Sequence, residues 1–191
     1  MALIHPFPGA LEVLDRVEKP PAGNGPVIGY IDGRVSKWQP EELNSPYVVG
    51  RVSVLANPLG EIFDLERGNA VTEQVSNALY QRYSAGLPSV LYMDYANLHD
   101  EKSPYSSLIY HPGVVGIWVA DWGCRSLNSV ASIEALGPKV IGVQYRSTPM
   151  FDVSCIVKAK WPFLPRGIPT APPPSAVGTM VLKDVRYRIF A

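Results

Sequence analysis

The stretch EIFDLERGNAVTEQVSNALYQRYSAGLPSVLYMD, residues 61–94, holds a complete strand–helix–strand unit and decides the fold. Its first six residues are rich in β-formers and end in two carboxylates spaced i, i+2. Strand alternation puts Asp64 and Glu66 on one face with Ile62, while Phe63 and Leu65 point the other way. Thr72 then opens a helix: Val75, Leu79 and Tyr83 recur at i+4 with Ala78 beside them, and Gly86 followed by Pro88 closes it. Residues 89–94 return as a second apolar strand that ends on Asp94.

Working outward, the same punctuation recurs. Residues 27–32, 48–55, 114–121, 139–145 and 151–157 read as strands. Ser103-Pro104 reads as an N-cap with proline at the first helical position, opening a helix toward Tyr110. Residues 126–136 read as a helix stopped by Gly137-Pro138. Such alternation argues for an α/β fold with a parallel sheet under covering helices, open or closed into a barrel. Asp32, Glu66, Asp94, Asp121 and Gln144 all fall where strands finish. A barrel gathers its site at the carboxyl ends of its strands, and so does an open doubly wound sheet. No glycine-rich phosphate fingerprint follows any strand, so nucleotide binding has no support.

At 191 residues the chain suits one domain with an appendage. Its zero formal net charge argues against bulk attraction to nucleic acid. The balance hides an asymmetry: from Lys158 onward there are six basic residues against one acid, leaving 1–157 with eleven against sixteen. The body is therefore acidic and the tail basic, which favours docking of the tail on an acidic neighbour or on an anionic polymer, or simple solvation of both surfaces. The first residues lack the cationic start and apolar run of a secretion signal, and no apolar stretch is long enough to span a bilayer. Cys124 and Cys155 are too few for a disulfide scaffold, and His5, His99 and His111 form no ligand cluster. No metal and no cofactor are expected.

From Trp161 to Pro174 six of fourteen residues are proline, an extended and rather stiff composition. Beyond it, Val181, Val185, Tyr187 and Ile189 alternate loosely, like one or two strands. A hairpin of that size is marginal alone and needs the body, a copy of itself or a partner protein.

Two acids side by side are costly to hold unless one keeps its proton, the arrangement acid–base chemistry uses; a solvated strand end is the plainer alternative. Tyr30-Ile31-Asp32-Gly33 with Trp38, then Phe63-Asp64-Leu65-Glu66-Arg67-Gly68-Asn69-Ala70, resembles the glycoside hydrolase family 25-like barrels of actinobacteria and their phages. The likeness continues through Ile117-Trp118-Val119-Ala120-Asp121-Trp122, Val143-Gln144-Tyr145 and Phe151-Asp152-Val153-Ser154, and covers about residues 27–157. It implies an abbreviated TIM-like (β/α) barrel with parallel strands, since only about thirty residues separate Asp32 from Asp64 where fuller members place whole β/α units. The expected layout is a lead-in at 1–26, a barrel at 27–157, a Pro-rich linker at 158–176 and a C-terminal β docking segment at 177–191.

That family's enzymes are lysozyme-like muramidases that cut the glycan of bacterial cell walls. By motif, the resemblance makes Glu66 the general acid and sets Asp64 beside it to orient substrate or stabilise charge, with Asp32 and Asp152 completing the acidic floor. Tyr30, Trp38, Tyr92, Trp122 and Tyr145 are candidates to stack on sugars, with Asp94, Asp121 and Gln144 at the same rim; packing is the competing role for each aromatic. The function expected is a peptidoglycan hydrolase-like or glycan-binding barrel, carried as a bacteriophage minor tail protein. The alternative is an inactive structural virion protein that uses the barrel and its tail for assembly. A cytosolic metabolic barrel has only fold analogy behind it. Expected partners are cell-wall polysaccharide and other virion proteins or self through the C-terminal segment, with no nucleic acid and no membrane; the expected location is the virion tail.

Overall fold

The structure is a computed structural model that describes residues 7–16, 26–33, 38–66, 69, 71–123, 127–148, 151–164, 176–182 and 185–190. Eight strands close into a barrel in chain order: β1 (Ala10–Arg16), β2 (Val27–Tyr30), β3 (Val48–Ser53), β4 (Ile62–Asp64), β5 (Ser89–Asp94), β6 (Val114–Ala120), β7 (Val140–Ser147) and β8 (Asp152–Val157). From β1 to β7 every neighbouring pair is parallel. β8 runs antiparallel to both β7 and β1 and closes the wall between them.

The sequence reading is corrected here in two ways. Ala10–Arg16, assigned to the lead-in, is a full barrel strand, so the barrel has eight strands and begins well before Val27. The last strand is not parallel, because only four residues join β7 to β8. A parallel return needs a crossover of about a dozen residues; four permit only a reversal.

The barrel has an inner and an outer apolar layer, as alternation demands. Val13, Ile28, Val52, Ile62, Val90, Tyr92, Trp118, Ile156 and Trp161 belong to the inner cluster. Phe63, Leu65, Leu91, Met93, Ile117, Val119 and Val143 face outward onto the helices. The principal cover is α2 (Thr72–Ser84), which buries Val75, Ala78, Leu79 and Arg82, the i, i+3, i+4, i+7 stripe of an amphipathic helix. Gln74 accepts the Val71 backbone N–H at 3.3 Å at its start, and Gly86 ends it at φ +69°.

The other helices are short: α1 (Pro40–Leu43), α3 (Tyr95–His99) and α4 (Val130–Glu134). The helix expected from Ser103 reduces to a single 3₁₀ turn at Leu108–Tyr110. Ser103 is buried and donates to Asn97 Oδ1 at 3.0 Å instead of capping a helix. The helix that does form is α3, begun by Asp94, whose carboxylate accepts both the backbone N–H and the side-chain amide of Asn97 at 2.6 Å. α4 starts at Val130, capped by Ser129; the expected start at Ser126 lies outside the described residues.

Trp161, placed by the sequence reading inside the 158–176 linker, is 4% exposed, and its indole N–H donates to the Val49 carbonyl at 2.7 Å. It plugs the barrel's base and stands edge-on to Trp118 at 6.4 Å between ring centres. Gly142 leaves room for both: a Cβ there would lie 3.3 Å from each indole. The Pro-rich residues 165–175 lie outside the described residues. After them, β9 (Ala176–Leu182) and β10 (Val185–Phe190) pair antiparallel in a two-stranded sheet of their own.

Candidate functional site

The carboxyl ends of the parallel strands bring the acids together. β4 delivers Asp64 into the mouth on the same face as Ile62, and the chain then turns outward at Glu66. Asp64 is 4% exposed and accepts the Glu66 backbone N–H at 2.9 Å. Burial pushes its pKa up to about 7; the Glu66 N–H bond and the Asn69 side chain pull it down, and the charges of Glu66 and Asp32 add to the rise. Glu66 is exposed at the rim, yet desolvation by its surroundings and the charges of Asp94 and Asp152 raise its pKa as well. Asp152 sits at the mouth because β8 runs the opposite way, and burial raises its pKa against a hydrogen bond from Ser147.

One residue that sequence reading overlooked holds the centre. Asp15, near the end of β1, is 3% exposed and lies in register with Asp152 across the β1–β8 seam. Its Oδ2 accepts from Tyr30 Oη at 3.1 Å and from Gln144 Nε2 at 2.9 Å; its buried Oδ1 has no partner. Burial and the nearby Asp152 raise its pKa well above the ordinary carboxylate range. The aspartate ending the first strand is therefore Asp15, and Asp32 follows the second. The signal was present, since Leu11, Val13 and Asp15 alternate as a strand would, but the surrounding glycines and prolines masked it.

From Asp15 a chain of hydrogen bonds leads to the surface. Gln144 is 1% exposed and gives its amide N–H to Asp15, so its oxygen faces Tyr92, whose hydroxyl lies 2.6 Å away. Tyr92 Oη is also 3.2 Å from Glu66 Oε1. A phenol has one proton, and the nearer Gln144 oxygen claims it. The contact of Tyr92 with Glu66 is the longer of the two, and it lowers the Glu66 pKa against the rise that burial and the charges of Asp94 and Asp152 produce. Burial and the surrounding carboxylates also push the Tyr92 and Tyr30 hydroxyls upward, so both stay neutral donors.

The remaining expected residues divide. Asp32 is near enough to Asp64 to affect its titration, but its carboxylate is occupied: Ser53 Oγ donates at 2.6 Å, and the Val54 and Leu55 N–H groups at 2.7 and 3.2 Å. It organises the loop after β3. Asp94 is the cap of α3 and Asp121 accepts the Gly123 N–H at 3.2 Å, both beside the mouth. Trp122 stands half-exposed at the rim. Two expected sugar platforms are not in the mouth. Trp38 is buried outside the barrel, where a Cβ on Gly29 would touch its ring at 3.0 Å. Tyr145 points away because Gln144 points in, and its hydroxyl donates to Glu12 at 2.9 Å.

Among the described residues no group of three or more His, Cys, Asp or Glu side chains has the geometry to hold a metal. Cys155 is a buried free thiol pushed up to about 12, chiefly by burial; Cys124, His5, Arg67, Gly68 and Ala70 lie outside the described residues. No helix among the described residues is long and apolar enough to cross a membrane. No protein-family model, curated protein or solved structure matches the chain.

Proposed function

We propose that the mouth is the active centre of a muramidase-like glycan hydrolase, built on an abbreviated TIM-like barrel and directed at cell-wall polysaccharide. One arrangement carries this reading: a rim carboxyl group, Glu66, whose pKa burial raises, set beside the buried carboxyl groups of Asp64 and Asp15, which burial raises as well, Asp64 to about 7. Glycoside cleavage needs a proton for the leaving oxygen and a negative group facing the oxocarbenium-like centre. In this reading Glu66 supplies the proton and Asp64, once ionised, the charge. Asp152 lies across the mouth, Tyr92 and Gln144 fix Glu66, and Asp15 fixes Gln144. We place the chain on a phage tail as a minor tail protein; the proline-rich segment and the basic C-terminal segment motivate that placement.

The test is cleavage of purified actinobacterial peptidoglycan, followed by turbidity and zymogram. Glu66→Gln removes the titrating proton at constant size, so cleavage should fall by at least about a hundredfold with unfolding unchanged. Equal activity in wild type and variant would end the assignment.

A second reading, a virion barrel without catalysis, draws on Asp32 and Asp94, whose carboxylates serve loop and helix ends, and on a hairpin that pairs with itself. Here the barrel supports assembly and the hairpin docks on another virion protein or on a copy of itself. A truncation to test it must retain Trp161, which belongs to the barrel core. Removal of residues 165–191 should leave a folded barrel that fails to enter particles; intact particles containing the shortened chain would refute the docking role.

A further inference from the structure

The outer layer of the barrel has a notch at its base, on the side where β3 passes to β4. That crossover, residues 54–61, is eight residues long and carries no helix, so α1 and α2 are not bridged by a third. The notch holds a cavity of about 450 Å³. Leu43, Leu87, Pro88 and Phe163 give it an apolar wall, and Arg51, Glu61 and Arg82 also line it.

The charges there do not balance. Arg82 is 5% exposed, and its hydrogen-bond partners among the described residues are neutral: Nε donates to Ser89 Oγ at 3.0 Å, Nη1 to the Pro58 carbonyl at 3.1 Å and Nη2 to the Pro88 carbonyl at 2.7 Å. Among the described residues no carboxylate pairs with it. Glu61 is taken by Arg51, whose Nη2 lies 2.8 Å from Oε1 and whose backbone N–H donates to Oε2 at 3.2 Å. Two guanidinium groups therefore share one carboxylate at the edge of a cavity.

A guanidinium keeps its charge when buried, and burial of a charge without a counter-ion is costly. Burial accordingly depresses the Arg82 pKa, the charge of Glu61 opposes this in part, and Arg51 adds a smaller depression. A purely structural Arg82, stitching α2 to the 57–60 loop and the start of β5, accounts for its three bonds. It leaves the unmatched charge and the adjoining cavity without a purpose.

We propose that this notch is a binding site for a small organic anion, a carboxylate or phosphate monoester with an apolar body. The anionic head would meet Arg51 and Arg82 at the donor-rich end, and the body would lie on Leu43, Leu87 and Phe163. Arginine forks suit both head groups, and the volume lies in the range of roughly 300–1,000 Å³ that small-molecule pockets occupy. The site is at the opposite end of the barrel from the acidic mouth and does not depend on the function proposed for that end.

The experiment titrates the full-length chain with phenyl phosphate, benzoate and the neutral control benzyl alcohol at fixed ionic strength, by calorimetry and by amide chemical shifts. At least one anion should bind saturably, shift residues 43–51, 82–88 and 161–164, and exceed benzyl alcohol by about tenfold or more. Glu61→Gln should tighten anion binding, because it releases Arg51 and removes the competing charge, while the Gln oxygen can still accept the Arg51 N–H. Arg51→Gln should weaken it by about tenfold. Failure of both anions to saturate, equal binding of the alcohol, or weaker binding to Glu61→Gln in a variant with wild-type amide dispersion would overturn the proposal. The anion–alcohol comparison on the unaltered chain decides the matter even if a variant does not fold.

Discussion

The two ends of this barrel are filled by opposite means. At the base the filling is aromatic: Trp161 edge-on to Trp118 at 6.4 Å and to Phe163 at 6.0 Å, with one hydrogen bond to spare the indole N–H. At the mouth it is polar, with Asp15, Asp64, Gln144 and Tyr92 nearly all withdrawn from water and several carboxyl groups held close to one another. Apolar burial stabilises the first arrangement; the second stores unfavourable electrostatics that the first must offset. A division of this kind, with stability at one end and strained polar groups at the other, is what a barrel with a site at the carboxyl ends of its strands would show. The largest expected effect follows from it. Trp161→Ala should lose about 3–5 kcal/mol of stability, since it empties the base and leaves the Val49 carbonyl unpaired. Denaturant unfolding measures this; a loss under about 1 kcal/mol would mean that the base is not where stability resides.

The mouth should behave in the opposite sense. Asp64 titrates near 7 in the folded chain and near 3.9 when unfolded, so the folded state binds the extra proton between those values. Stability contributed by the protonated group is complete below about pH 4 and is lost as pH rises through about 7, by up to about 4 kcal/mol in the limit of full burial. Asp64→Asn keeps the acceptor for the Glu66 N–H and removes the titration. The variant should match the wild type near pH 4 and exceed it by about 1–4 kcal/mol at pH 8, measured by unfolding at each pH. If wild-type stability instead rises from pH 4 to 7 relative to the variant, Asp64 is a favourably placed carboxylate and not a strained one.

The same contrast explains what the sequence could show. Strand positions from β2 to β8 were legible because β-branched runs alternate with glycine and proline, and α2 because its stripe is strict. The meeting of Asp64 and Glu66 followed from their places at the carboxyl end of a strand, whereas Asp152 opens β8 and reaches the mouth only because that strand is reversed. Asp15 was hidden because β1 lies among residues whose composition reads as a loop, and only closure of the barrel gives it a neighbour on each side. The reversed direction of β8 was present in the four-residue link after Ser147, a length that excludes a parallel crossover. Trp161 could not be distinguished from the prolines after it, since nothing local separates a plug from the start of a linker. Trp38 and Tyr145 show the limit of reading aromatics by position: one residue of alternation separates the mouth from the outer wall.

Asp32 lies between the two regimes, and the smallest of these effects decides which one it serves. Its carboxylate accepts three hydrogen bonds from residues 53–55, and Ser53 Oγ in turn accepts the Asn57 N–H at 2.7 Å. Within that loop Ala56 is held at φ +58°, a conformation that costs a residue with a Cβ roughly 1–2 kcal/mol. The bonds to Asp32 offset that strain. Removing them by Asp32→Ala should therefore cost about 2 kcal/mol, less than three charged hydrogen bonds would suggest, because the residue is partly exposed and the loop can relax. Amide exchange at Val54, Leu55 and Asn57 should rise together in the variant. A residue that acts in the chemistry instead would leave those amides protected and lower only the turnover of glycan, so exchange and cleavage measured on the same sample separate the loop's organiser from a member of the acidic floor.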